Sequence, residues 1–207
     1  MTTTTNEDSV NSNTYTIGGK KFVRVTSILK AQGLVDFSGI PERDRDFYLA
    51  RGTENHRLWQ NVEEGTADGF TYDTRVEAYR AGHARFLHET GFKALPGGIE
   101  MRVKATWEDL GLPGGGDFAG IAGTLDRLGT IQNRVVLIDY KTSSVRDSTA
   151  LQTALYLLCL PGYKFGEIER YGVGFRNNGT YSMSPRYPIS DYHESMNHIE
   201  KYRKGKK

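Results

Sequence analysis

The spacing of hydrophobic and polar positions changes several times along the chain, and each change marks an element. From Ile99 to Trp107 the alternation is strict. Ile99, Met101, Val103, Ala105 and Trp107 stand against Glu100, Arg102, Lys104 and Thr106, which predicts a strand with one buried face. Two more strands are predicted around Gly120 to Leu128 and from Arg134 to Lys141, the second containing the apolar run Val135-Val136-Leu137-Ile138. A helix from about Ser148 to Leu160 follows, stopped by Pro161-Gly162.

Upstream, the period is helical. Val76, Tyr79, His83, Phe86 and Leu87 fall on one face, Thr74 with Glu77 forms a capping box, and Gly91 ends the helix. An earlier helical segment opens after Pro41, carries Phe47, Tyr48, Leu58, Trp59 and Val62, and has a potential break at Gly52. Residues from Tyr15 to Val25 alternate around Gly18-Gly19, the pattern of a hairpin, with Thr26 or Ser27 as the cap of a short helix. Near the other end, Tyr171 to Phe175 and Thr180 to Met183 flank Asn178-Gly179 as a second hairpin, and Ser190 or Asp191 caps a final helix. Residues 1–14 are polar and read as a disordered lead-in, while residues 201–207 read as a basic mobile tail. Between them, residues 15–200 form a single α/β (α+β) domain.

Composition narrows the picture in three ways. The chain has 207 residues, 37% of them hydrophobic, enough for one core. Its 27 Lys and Arg nearly balance 25 Asp and Glu, so any basic surface must be local. Arg43, Arg45, Arg51, Arg57 and the C-terminal lysines are the candidates. The single cysteine, Cys159, sits in an apolar run and reads as a small buried hydrophobe, which excludes an internal disulfide or a cysteine-ligated iron-sulfur cluster. A lone thiol, a polar N-terminus and the lack of a long apolar stretch predict an intracellular, cytoplasmic protein that is not inserted in a membrane.

The chemistry concentrates in Gly123-Thr-Leu-Asp126 and Asp139-Tyr140-Lys141. One residue separates Asp139 from Lys141, so a strand puts carboxylate and ammonium on one face. If the two strands form a symmetric hairpin about residues 132 and 133, Asp126 and Asp139 become cross-strand neighbours whose like charges repel. Keeping them together calls for a cation. Carboxylate oxygens favour hard divalent ions, and magnesium completes its shell with waters and substrate phosphates, which points to phosphate-ester chemistry. Of the 25 acidic residues only Asp139 has Lys two positions on, and it follows the most apolar strand of the chain. A solvated strand edge is the competing reading of Asp-x-Lys, but charges at the end of a buried strand are costly unless they are paired.

These motifs resemble the PD-(D/E)XK nuclease superfamily, and specifically its RecB-like exonuclease branch, which includes phage recombination exonucleases. Gly123-Thr-Leu-Asp126 resembles Gly-x-x-Asp, Asp139-Tyr140-Lys141 resembles (Asp/Glu)-x-Lys, and Gln152-Thr-Ala-Leu-Tyr156 resembles Gln-x-x-x-Tyr. Gly52 to His56 resembles a Gly-x-x-x-His helix, and Glu100 stands where the branch often has a strand glutamate.

The resemblance implies a restriction-endonuclease-like core, a central mixed sheet of about four to five strands flanked by helices. It implies metal ligation by His56, Asp126, Asp139 and the Tyr140 carbonyl, with Asp126, Asp139 and Lys141 as the catalytic set. Gln152 and Tyr156 would hold DNA or orient Lys141, and Glu100 would support the site. The cofactor implied is Mg2+, with Mn2+ able to substitute and no iron-sulfur cluster. The implied activity is divalent-metal-dependent hydrolysis of DNA to 5'-phosphate products, exonuclease rather than endonuclease. Its setting would be phage-type recombination, repair or DNA processing. Partner classes are DNA, a recombination or single-strand annealing protein, and further copies in an oligomer. The alternatives are a catalytically silent DNA- or protein-binding module of the same fold and a structure-specific endonuclease. Loss of cleavage in Lys141→Ala, and the fate of closed circular DNA, separate them.

Overall fold

The computed structural model describes residues 9–10, 13–35, 41–70, 72–114 and 116–205. In chain order its elements are β1 (Ser9–Val10), β2 (Thr14–Ile17), β3 (Lys20–Arg24), α1 (Val25–Ala31), α2 (Glu42–Glu63), α3 (Thr74–Thr90), β4 (Lys93–Thr106), β5 (Gly120–Ile131), β6 (Arg134–Lys141), α4 (Ser148–Leu158), β7 (Glu169–Phe175), β8 (Tyr181–Met183) and α5 (Asp191–Lys204), with a 3-10 turn at Ala67–Gly69. The strands make one mixed sheet in the order β1-β2-β3-β5-β6-β7-β8, with β4 paired to β5 outside that path. This is the mixed α/β architecture expected. Among the described residues the sheet has eight strands rather than four or five, because both hairpins and the short β1 join the central strands.

The topology at β5 positions the site. Along most of its length β5 pairs antiparallel with β4. On its other edge it meets two partners in succession: β3, parallel, at Gly120–Ala122, and β6, antiparallel, from Arg127 to Ile131. A strand has only two edges, so β3 and β6 share one and diverge across residues 123–126. The sheet forks there. The β5–β6 turn is the symmetric one expected about residues 132 and 133, where Gln132 and Asn133 both take positive φ, 49° and 63°, as a two-residue hairpin of this hand requires.

Helices cover both faces. On one, α1, α4 and α5 bury Ile28, Leu29, Leu151, Leu155 and Ile199 against Leu125 and Leu137. On the other, α2 and α3 bury Leu58, Trp59, Val76 and Phe86 against Val136, Ile138, Tyr140 and Phe175. β6 feeds both cores, which explains its unbroken apolar run. Arg170, 2% exposed, fastens α4 to β7: its Nη1 donates to the Ala150 carbonyl (2.7 Å) and to Thr153 Oγ1 (3.2 Å), and its Nη2 to Asp191 Oδ2 on α5 (2.9 Å).

Several local expectations are corrected. α2 runs unbroken through Gly52 for 22 residues. A mid-helix glycine costs about 1 kcal/mol relative to alanine, which burial of Leu58 and Trp59 in the following turns offsets. Thr74 is the first helical residue of α3, not its cap; the Asp73 carbonyl accepts from the N–H groups of Val76 and Glu77, so the cap position falls one residue earlier. Likewise Arg24 occupies the cap of α1, placing Thr26 and Ser27 inside its first turn. Ser190 caps α5, without a side-chain hydrogen bond.

Ser9–Val10 pairs with Thr16 and Tyr15 inside the stretch expected to be an unstructured lead-in, whose residues 1–8 and 11–12 lie outside the described residues. Lys201–Lys204 forms the last turn of α5 rather than a tail, and the final two lysines lie outside the described residues. Cys159 is buried and unpaired, and burial pushes its thiol pKa up, as befits an inert core cysteine. Among the described residues no helix is long and apolar enough to cross a membrane.

Candidate metal and catalytic site

Three acidic residues lie in one row across the forked sheet. The pairs Ile99–Arg127 and Met101–Leu125 set Glu100 of β4 level with Asp126 of β5, and one step beyond the Arg127–Ile138 pair sets Asp139 of β6 level with Asp126 on the other side. The β5–β6 ladder gives way to a side-chain bond at this point, where Asp126 Oδ2 accepts the Tyr140 backbone N–H (2.6 Å). A register irregularity in β4 between Ala94 and Ile99 precedes Glu100, which has φ 47°. Left-handed backbone at a non-glycine residue costs on the order of 1–3 kcal/mol and is tolerated where surrounding structure holds it.

α2 brings His56 over the row. His56 Nδ1–H donates to Glu100 Oε1 (3.0 Å) and lies 3.7 Å from Asp126 Oδ1. One ligand atom from each of His56, Glu100 and Asp126 falls within 4.8 Å of the others. Glu100, expected from sequence only to support the site, is a member of this trio, and Asp139, expected as a ligand, is not. Asp139 is 1% exposed and its Oδ1 has no hydrogen-bond partner, while Lys141 Nζ is 2.5 Å from its Oδ2.

Electrostatics record the crowding. Burial, with the neighbouring Asp139 and Glu100 charges, pushes the Asp126 carboxyl up to about 7 even though His56 opposes the shift. Burial works against the His56 cation, but Asp126 and Glu100 outweigh it and raise its pKa. Lys141 behaves alike: burial disfavours its charge, and Asp139 and Asp126 more than restore it, so the ammonium stays protonated.

Such a set of one imidazole and three carboxylates, with a buried carboxylate oxygen lacking any donor, fits a hard divalent cation. Lys141 is itself held. Its Nζ donates to Gln152 Oε1 (3.2 Å), and Gln152 Nε2 donates to Tyr156 Oη (3.0 Å), so the two α4 residues one turn apart form a relay behind the ammonium. Gly123 lets α4 come this close, since a Cβ there would lie 2.4 Å from the Tyr156 ring. Beside the relay a cavity of about 280 Å³ is lined by Tyr15, Arg24, Thr26, Glu100, Thr124 and Tyr156 among others. The two larger clefts, about 770 and 660 Å³, contain none of the site residues.

A second layer was not foreseen. Arg127, fully buried, donates through Nε to both oxygens of Glu63 (3.0 and 2.8 Å) and through Nη1 to Glu100 Oε1 (3.0 Å) and the Asp126 carbonyl (2.6 Å). Its guanidinium lies 4.8 Å from the Tyr140 ring centroid. Glu63 also accepts from His83 Nε2 (2.8 Å) and Tyr140 Oη (3.3 Å). His83, which the sequence placed only on the apolar face of α3, therefore anchors the network that fixes Glu100. The sequence held one faint signal: Glu63 lies seven residues after His56, two turns along the same helix face.

Comparison with known proteins agrees with this arrangement at the level of family. No curated protein matches the chain. One similar solved structure is a Eubacterium rectale protein provisionally described as an exonuclease, 11% identical, with a TM-score of 0.47 over 88% of this chain and 73% of the other. The family model of the PD-(D/E)XK nuclease superfamily matches residues 30–169, a span from α1 to the start of β7 that contains every residue of the site. The chain belongs to the PD-(D/E)XK nuclease superfamily.

Proposed function

We propose that the protein is a divalent-metal-dependent DNA nuclease that hydrolyses phosphodiester bonds from an end and leaves 5'-phosphate products. The observation that carries this reading is the row Glu100, Asp126 and Asp139, flanked by His56 and by a lysine held in place from behind. His56, Glu100, Asp126, Asp139 and the Tyr140 carbonyl would hold the ion, magnesium by the hardness of the oxygens, with manganese able to replace it. When bound, the ion supplies Lewis-acid polarisation of the phosphate and a lowered pKa for water.

The chain's own groups do the rest. Lys141 stays cationic and places a positive charge where negative charge accumulates on the phosphate in the transition state. Because it stays protonated it acts by charge and orientation rather than as a base. Gln152 restricts the ammonium to one direction, and Tyr156 restricts Gln152. Exonuclease action and a role in phage-type recombination, repair or DNA processing follow the likeness of the Gly52–His56 and Gln152–Tyr156 motifs to the RecB-like branch.

Labelled linear, closed circular and single-stranded DNA incubated with magnesium test the reading. The wild type is expected to shorten linear molecules and spare circles, and Lys141→Ala to be slower by about 10²–10³-fold. Cleavage of circles would make the enzyme an endonuclease. DNA left intact with both magnesium and manganese would favour a binding module.

A further inference from the structure

The row of acids has a continuation on β7. The parallel pairing of β6 with β7 sets Gly172 level with Asp139, and both face α4, as the contacts of Lys141 with Gln152 and of Arg170 with Ala150 on the same two strands require. Where a Cβ of Gly172 would stand, the Tyr187 hydroxyl stands instead: its Oη lies 2.7 Å from that position, with Val145 and Thr149 close by. Glycine admits the ring this near to the sheet. Adjacent strands are about 4.8 Å apart, so the hydroxyl neighbours Asp139 on the side away from Asp126.

The backbone holds Tyr187 in this place. Past β8 the chain keeps to the edge of β7: Ser184 N–H donates to the Gly172 carbonyl (2.9 Å) and Tyr187 N–H to the Arg170 carbonyl (3.0 Å), while the Arg170 guanidinium lies 5.9 Å from the ring centroid. Yet the Tyr187 hydroxyl so placed is buried and makes no hydrogen bond among the described residues, and neither does Asp139 Oδ1. Ser184 Oγ, the other hydroxyl with influence on Tyr187, already accepts the Gly172 N–H (3.0 Å) and donates to the Pro185 carbonyl (2.9 Å). Buried polar groups are nearly always paired, and phenylalanine would fill this space without leaving a donor unused. A donor lacking an acceptor thus stands one strand away from a carboxylate oxygen lacking a donor.

We infer that Tyr187 is a positioning residue for Asp139: its O–H donates to Asp139 Oδ1 when the carboxylate turns to the ion, leaving Oδ2, which Lys141 meets, as the ligand atom. A rotation of the two side chains closes the gap without moving either strand. Asp139 is then held from behind by a tyrosine much as Lys141 is held by Gln152. A carboxylate fixed in this way loses less freedom when it takes up the ion, and so binds it more tightly. Tyr187 lies on the connection between β8 and α5, beyond the span that the family model matches. The inference rests on the proposed metal-dependent function and adds to it a residue from the C-terminal part of the chain.

The test uses the full chain with Tyr187→Phe, which keeps the ring and removes only the O–H. Calorimetric titration with manganese is expected to show affinity lower by about 10–100-fold, the loss that follows removal of a ligand's outer partner. The melting temperature in EDTA is expected to stay within about 4 °C of the wild type, the scale of one hydrogen bond in a domain of this size. On linear DNA the variant should be slow at limiting manganese and recover as manganese is raised, which a merely structural tyrosine would not give. Manganese affinity within about twofold of the wild type overturns the inference, as does a loss of affinity that comes with a larger drop in melting temperature. If the wild type cuts DNA and Tyr187→Phe binds manganese as before, the positioning role fails and the nuclease reading stands. If affinity falls as expected and neither protein cuts DNA, the positioning role stands and the nuclease reading fails.

Discussion

Replacing Arg127 by methionine removes the one cation that joins Glu63 to Glu100. The guanidinium is fully buried, and Glu63 is 4% exposed and would keep only His83 and Tyr140 as donors. Breaking a buried ion pair by deleting one member costs about 3–5 kcal/mol, which at roughly 2–4 °C per kcal/mol for a domain of this size lowers the melting temperature by about 6–20 °C. Glu63→Gln should cost a comparable amount, because it leaves Arg127 buried beside a neutral amide. The double variant is expected to lose about 1–3 kcal/mol less than the sum of the two, since neither then buries a charge stripped of its partner. Glu100 keeps the His56 bond and loses the Arg127 bond at the same time, and loss of such an outer partner lowers metal affinity by about 10–100-fold. Urea unfolding of the three variants in EDTA, with manganese titration of each by calorimetry, measures both effects. Additivity within about 0.5 kcal/mol, together with wild-type manganese affinity in Arg127→Met, would refute the reasoning.

Other outcomes follow from the same geometry. Gln152→Ala is expected to lower kcat by about tenfold with little change in KM, as misplacement of a catalytic group does; Gln152→Ala/Tyr156→Phe should be no slower than Gln152→Ala alone, because Tyr156 acts through Gln152. The Asp126 carboxyl, near 7 in the metal-free fold against its ordinary 3.8, lets the folded state hold a proton that the unfolded state has released. Stability of the metal-free protein should therefore fall as pH rises from about 4 to 7, and the raised His56 pKa pushes the same way. Thermal unfolding in EDTA at pH 5.5 and 8 checks the sign. Metal binding needs Asp126 ionised and His56 neutral, so manganese titrations at pH 6 in buffers of different ionisation enthalpy should show proton release that fades by pH 8.5.

What the sequence disclosed and what it withheld divide along local and non-local lines. Asp126 opposite Asp139 follows from two short segments and the turn between them, and Asp139 beside Lys141 from the pleat alone; both are legible because every determinant lies within sixteen residues. The cap of α3 lies one residue before Thr74 and that of α1 two or three before Thr26 and Ser27, since several neighbouring positions can open a helix and only backbone geometry chooses among them. The place of Glu100 beside His56 and Asp126 depended on the register of β4 against β5, which alternation does not fix. Arg127 and Glu63, 64 residues apart, meet only after α2 docks on the sheet, and a buried arginine next to Asp126 looks from sequence like any surface charge. Gly52 read as a helix break because propensity was weighed without the burial that overrides it.

A crystal soaked in manganese and measured at the manganese absorption edge tests the central claim most directly. An anomalous peak bonded to His56 and Asp126, with a carboxylate of Glu100 or Asp139 and lying within reach of the Lys141 ammonium, is the predicted result. A peak elsewhere, or none at a manganese concentration that saturates binding in solution, would contradict the account.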